Sequence, residues 1–153
     1  YPIESVATMD EIALAVEPSL PFRHEFRGWR GTFSTVTEAV THAACDMAEL
    51  LDAAAILVPT ASGGTASDVA RQRPRRPVIA VSHRAETLQR LALEWGVVAR
   101  HVDQETDIGA LWDRALEAAV ETGLVWPGDQ VIITAGTALD VPGTTNLLKV
   151  ETV

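Results

Sequence analysis

The chain has 153 residues, of which 47% are hydrophobic and 22% charged, enough apolar material for one compact domain and too much for wholesale disorder. Its formal net charge of −9 repels phosphodiester backbones, so no nucleic-acid surface is expected, and no apolar run approaches the roughly 20 residues of a membrane span. Cys45 is the single cysteine, which excludes an intrachain disulfide and a Cys-rich zinc site; with no basic-then-apolar leader in view, a cytoplasmic protein is expected.

Residues 2–17 read as a helix, with Pro2 in the first turn and Val6, Met9, Ala13 and Val16 recurring every three or four positions. Pro18 and Pro21 end it, and 18–34 reads as a linker. A second helix is predicted from Val36 to Leu51. Thr35 and Glu38 form its capping box, and Val36, Val40, Ala43, Met47 and Leu51 its apolar stripe. Ala54 to Val58 is a continuous apolar run of the kind found in buried strands. A glycine-containing turn at 60–65 leads into a helix at 65–72. Next come a strand at 77–81, a helix at 84–94 and a strand near 97–102. Thr106 is expected to cap a helix over 107–122 that shows Ile108, Leu111, Ala115 and Ala119 on one face and ends at Gly123. Pro127-Gly128-Asp129 forms a turn before a buried strand at 131–134. The last segment, 146–153, alternates Lys149 and Glu151 with Leu148 and Val150, as a guarded edge strand does.

Alternating strands and helices predict an α/β fold: a three-layer α/β/α domain on a mostly parallel sheet, the last strand antiparallel at an edge. The best candidate site is the loop Pro59-Thr60-Ala61-Ser62-Gly63-Gly64-Thr65, which leaves a buried strand and enters a helix. A helix start offers unpaired N–H groups and partial positive charge. Gly63 and Gly64 permit close backbone approach, and Thr60, Ser62 and Thr65 add hydroxyls, which together make a phosphate cradle. A plain helix cap by Ser62 or Thr65 explains the same residues about as well. A second glycine loop, 136–146, follows another strand and should lie on the same sheet edge. Arg84 is placed to bring a charge there, or else is a solvated first-turn residue. Arg71, Arg73, Arg75 and Arg76 fall at the far end of the loop's helix, where cations suit a helix C-terminus. No catalytic constellation or metal-ligand spacing is present: His24, His42, His83 and His101 are scattered, and Lys149 is the only lysine. The mg-binding carboxylates and cations of a phosphoryl-transfer site cannot be assembled from these residues.

Ile56-Leu57-Val58-Pro59-Thr60-Ala61-Ser62-Gly63-Gly64-Thr65-Ala66 resembles the effector loop of pyruvate kinases. The runs 73–81, 93–97, 128–136 and 142–150 resemble further landmarks of that family in order, and Tyr1-Pro2-Ile3-Glu4 with its helix resembles the end of the catalytic barrel. The resemblance implies residues 1–17 as a barrel remnant, 18–34 as linker and 35–153 as the C-terminal domain, with a five-stranded mixed sheet. It implies an effector phosphate held by Thr60, Ser62, Gly63 and Thr65, and a sugar covered by Pro142, Gly143 and Thr144. Gly64 stands where the family often has a larger residue. Gln104 and Leu111 stand where eukaryotic members clamp a second phosphate with Trp and Arg. A sugar monophosphate or AMP is therefore expected over fructose 1,6-bisphosphate. The family's magnesium and potassium sites lie in the barrel, so no cofactor is expected here and the chain alone should be inactive. Expected partners are that barrel and further copies in a homo-oligomer. A purely structural assembly module and a stand-alone phosphate-ligand-binding protein are the alternatives.

Overall fold

Pro2 opens the first helix, α1 (Pro2–Val16), and a 3₁₀ turn follows at Glu17–Ser19. The computed structural model describes residues 1–19, 32–138, 141 and 143–153. It divides into two units, Tyr1–Arg30 and Gly31–Val153. In the first unit α1 buries none of its residues; Ile3 is 80% exposed and Met9 69%. Most of the expected linker, with His24 and Trp29, lies outside the described residues.

The second unit carries α2 (Val36–Leu50), β1 (Ala55–Pro59), α3 (Gly64–Arg71), β2 (Val78–Ser82), α4 (Ala85–Leu91), β3 (Val97–His101), α5 (Ile108–Glu121), β4 (Gln130–Gly136) and β5 (Thr145–Thr152). One five-stranded sheet runs in the order β3-β2-β1-β4-β5. All neighbours are parallel except β4 and β5, which pair antiparallel with Ile133 opposite Lys149. This is the α/β/α architecture expected, with its antiparallel strand at the edge.

Every residue of β1 and β2 is buried, because helices cover both faces. Ile56, Val58, Val78, Ala80 and Ile132 face α2, α3 and α4, meeting Ala44, Cys45, Ala48, Val69 and Leu91. Ala55, Leu57, Ile79, Val131 and Ile133 face α5, meeting Ala115, Ala118 and Ala119.

Three local expectations are corrected. The buried face of α2 is Thr41, Ala44, Cys45 and Ala48, while Val36 is 65% exposed. Small side chains let the helix lie close to the sheet, and the branched residues flank that contact. The cap of α5 is Asp107, whose carboxylate accepts from the Ala110 N–H at 2.9 Å, rather than Thr106. A carboxylate at a helix start gains from the dipole as well as the bond. α4 stops at Leu91, not at residue 94. The Thr35–Glu38 capping box forms in both directions, and Gly123 takes a left-handed φ of 73°.

Candidate functional site

β1 delivers the chain at Pro59 into the first glycine loop. Thr60 donates its N–H to Val81 at 2.9 Å, and its hydroxyl accepts the Gly63 N–H at 2.9 Å. Gly63 is the N-cap of α3 at φ 81°, and no side chain caps this helix. Ser62 and Thr65 are therefore not spent on capping, and the first-turn amides of Gly64, Thr65 and Ala66 are left to face a ligand or water.

Two residues that the sequence reading missed hold this loop from α4. The Thr87 hydroxyl donates to the Ala61 carbonyl at 2.8 Å, and the Arg90 guanidinium donates to the Ser62 carbonyl. A Cβ on Gly63 would lie 2.8 Å from Arg90 Nη2 and 3.3 Å from both Leu91 Cδ2 and Thr87 Cγ2. Only glycine fits there on both space and φ. The available signal was the i,i+3 spacing of Thr87 and Arg90 on the helix after β2.

The second glycine loop leaves β4 at Gly136, where the ladder to β5 shifts register. A Cβ on Gly136 would lie 2.6 Å from Thr144 Oγ1 and 2.9 Å from the Thr144 carbonyl oxygen, so the returning chain crosses directly over this glycine. Asn146 pins the loop's base: its Oδ1 accepts the Thr137 N–H at 3.0 Å and its Nδ2 donates to Thr137 Oγ1 at 3.1 Å. Thr144 donates its hydroxyl to the Val141 carbonyl at 2.7 Å. The hydroxyls of Thr65 and Thr145 meet at 2.6 Å, joining the two loops.

Both loops line one cleft of about 70 Å³ beyond the C-terminal ends of the parallel strands. β1 and β4 are adjacent there, and from β1 the chain winds first toward β2 and later back to β4, so the cleft sits at a topological switch point. Of the residues singled out from sequence, Thr60, Ser62, Thr65, Gly143 and Thr144 line it, as do Gln104 and Leu111. Gly63 and Gly64 shape the loop by their backbone; a Cβ on Gly64 would meet only Ser62 Oγ, at 3.7 Å. Arg84 is exposed and outside the lining; its N–H reaches Ser82 Oγ at 3.2 Å and its Nε faces His83 Nε2 at 3.3 Å. Pro142 lies outside the described residues.

The described lining carries two carboxylates, Asp103 and Glu105, with His83 and no lysine or arginine. Arg114 stands behind Glu105 at 3.8 Å. Its guanidinium is held more firmly protonated than usual, first by the hydrogen bond and charge of Glu117, then by the charges of Glu105 and Asp103.

The arginine run at the far end of α3 is used within the chain. Arg71 pairs with Asp68 at 3.3 Å, Arg76 with Asp52, the Arg75 N–H with Glu49 at 3.2 Å, and Arg73 lies 5.5 Å over the Trp95 ring. Among the described residues no three His, Cys, Asp or Glu side chains converge to hold a metal ion. Among them, too, no helix is long and apolar enough to cross a membrane.

Residues 38–151 match the family described as pyruvate kinase, alpha/beta domain. The chain is 40% identical over 154 residues to the pyruvate kinase of Geobacillus stearothermophilus, covering 100% of this chain and 26% of that protein. It is 36% identical over 154 residues to the pyruvate kinase of Clostridium acetobutylicum, covering 100% and 33%. With pyruvate kinase 2 of Synechocystis sp. the identity is 34% over 153 residues, covering 100% and 25%. The chain thus spans about a quarter to a third of the length of these relatives.

Proposed function

The chain belongs to the pyruvate kinase α/β-domain family, and from that premise we propose that it is the effector-binding and assembly domain of a pyruvate kinase. The observation that supports this is the meeting of two glycine loops, from β1 and β4, at the uncapped start of α3, joined by the 2.6 Å Thr65–Thr145 contact. The amides of Gly64, Thr65 and Ala66 present a concave set of donors at the positive end of the α3 dipole. A phosphoryl group seated there accepts these N–H groups and hydroxyls from Thr60, Ser62 and Thr65. Its sugar or nucleoside lies beside Gly143 and Thr144, which line the cleft. The effector is a monophosphate, a sugar phosphate or AMP.

The parent reaction transfers a phosphoryl group from phosphoenolpyruvate to ADP, with magnesium and potassium supplied in the barrel domain. The described residues of this chain form no acidic or histidine cluster that fits magnesium, so no chemical step is routed through them. The domain's contribution is linkage: an effector that binds the active oligomer more tightly than the inactive one shifts the population toward it.

Calorimetric titration with inorganic phosphate, AMP and sugar monophosphates tests this reading. Saturable binding is expected from at least one monophosphate. Its loss in Ser62→Asp, which brings a competing carboxylate to the helix start, is expected too. Heat from none of these compounds, or unchanged binding in Ser62→Asp, refutes it.

A further inference from the structure

The cleft is divided by charge. At its β1–β4 end lie the donors: the first-turn amides of α3 and the hydroxyls of Thr60, Ser62 and Thr65. At its β2–β3 end the chain leaves β3 through Val102 and turns through Asp103, Gln104 and Glu105, all of which line the cleft. The described lining residues include no lysine or arginine. Arg84 is exposed outside the lining, and Arg114, also outside it, is shared between Glu117 at 3.0 Å and Glu105 at 3.8 Å.

We propose that Asp103 and Glu105 are specificity-determining residues: they admit a ligand with one phosphoryl group and a neutral, hydroxyl-bearing remainder, and turn away one with a second phosphoryl group. The inference rests on the phosphate seat proposed above and adds what happens at the other end of the ligand. Carboxylates accept hydrogen bonds from sugar hydroxyls, and the Gln104 amide can both donate and accept. A second phosphoryl group reaching the same place meets two carboxylates that only Arg114, shared with Glu117, partly offsets, in a cleft whose walls screen less than bulk water. The seat itself relies on amides and hydroxyls, so it has no spare cation to share with a distal anion.

The test compares fructose 6-phosphate with fructose 1,6-bisphosphate by calorimetry on the full chain. EDTA is present so that no divalent cation bridges the second phosphate. The original chain should bind the monophosphate on the order of tenfold more tightly. In the double variant Asp103→Asn/Glu105→Gln that preference should shrink to about twofold or reverse, while the affinity for inorganic phosphate stays the same. Equal or tighter binding of the bisphosphate by the original chain overturns the inference, as does a preference that survives both substitutions. If inorganic phosphate and both sugars give no heat, the seat itself is wrong and the inference falls with it. Binding of phosphate without discrimination removes the inference and leaves the seat standing.

Discussion

Gly63→Ala probes how tightly the loop is built. Gly63 sits at φ 81°, where an L-residue costs about 1–2 kcal/mol. The new Cβ lies 2.8 Å from Arg90 Nη2, so the guanidinium must swing aside and release the Ser62 carbonyl. That end is flexible and exposed, so the loss is put at the low end for a charged hydrogen bond, about 1 kcal/mol. Leu91 Cδ2 and Thr87 Cγ2, both at 3.3 Å, must also give by a few tenths of an ångström. The sum is about 2–4 kcal/mol, which for a chain of this size lowers Tm by about 6–12 °C. Circular dichroism melts of Gly63→Ala, Arg90→Ala and the double variant check it. In the Arg90→Ala background Gly63→Ala should cost about 1 kcal/mol less, because that hydrogen bond is already gone. A Gly63→Ala melt within 1 °C or so of the original, or strict additivity in the cycle, refutes the account of the loop.

Gly136→Ala places a Cβ against the backbone of Thr144, which cannot rotate away, so the β4–β5 return must shift and strain the Thr65–Thr145 contact. The expected cost is about 1–3 kcal/mol. Amide exchange should quicken at Thr145 to Leu147 while β1 and β2 stay protected; unchanged protection at those sites contradicts the steric reading. Glu38 has its acidity strengthened chiefly by the Ser34 hydroxyl, then by the Ser34 N–H, with desolvation opposing and the Thr35 N–H adding. Its folded pKa lies below the unfolded one, so its contribution is present above the ordinary glutamate pKa and disappears as pH falls through the depressed value. Glu38→Gln should therefore lower the urea midpoint at pH 7, and the gap to the original chain should narrow steadily as the pH is lowered into the acid range; a gap that does not change with pH rules that linkage out.

Much of the fold was legible because each buried strand is a short, unbroken apolar run between helices with the right period. β1, β2 and β4 read directly in this way, and Lys149 and Glu151 marked β5 as an edge strand. What misled was side-chain size. In α2 the large apolar residues suggested the contact face, whereas Ala44, Cys45 and Ala48 make it. At α5 two adjacent cap formers competed, and only the geometry selects Asp107 over Thr106. The donors of the candidate site were readable because glycines and hydroxyls clustered between a strand and a helix. Thr87 and Arg90 were not, because they act through main-chain carbonyls of a loop distant in sequence. The carboxylates of the cleft were equally hidden: nothing in the spacing of Asp103 and Glu105 indicates that the turn after β3 opens toward the loops after β1 and β4.

The pairing of β1 with β4 sets Ile56 beside Ile132, with α3, β2, α4, β3 and α5 all intervening along the chain. Long-range closures of this kind are slow, and the crevice is complete only once that closure is made. A ligand that recognises the finished crevice has nothing to hold in the half-folded chain. It therefore acts as a brake on unfolding and leaves the speed of folding untouched, lengthening the lifetime of the native domain.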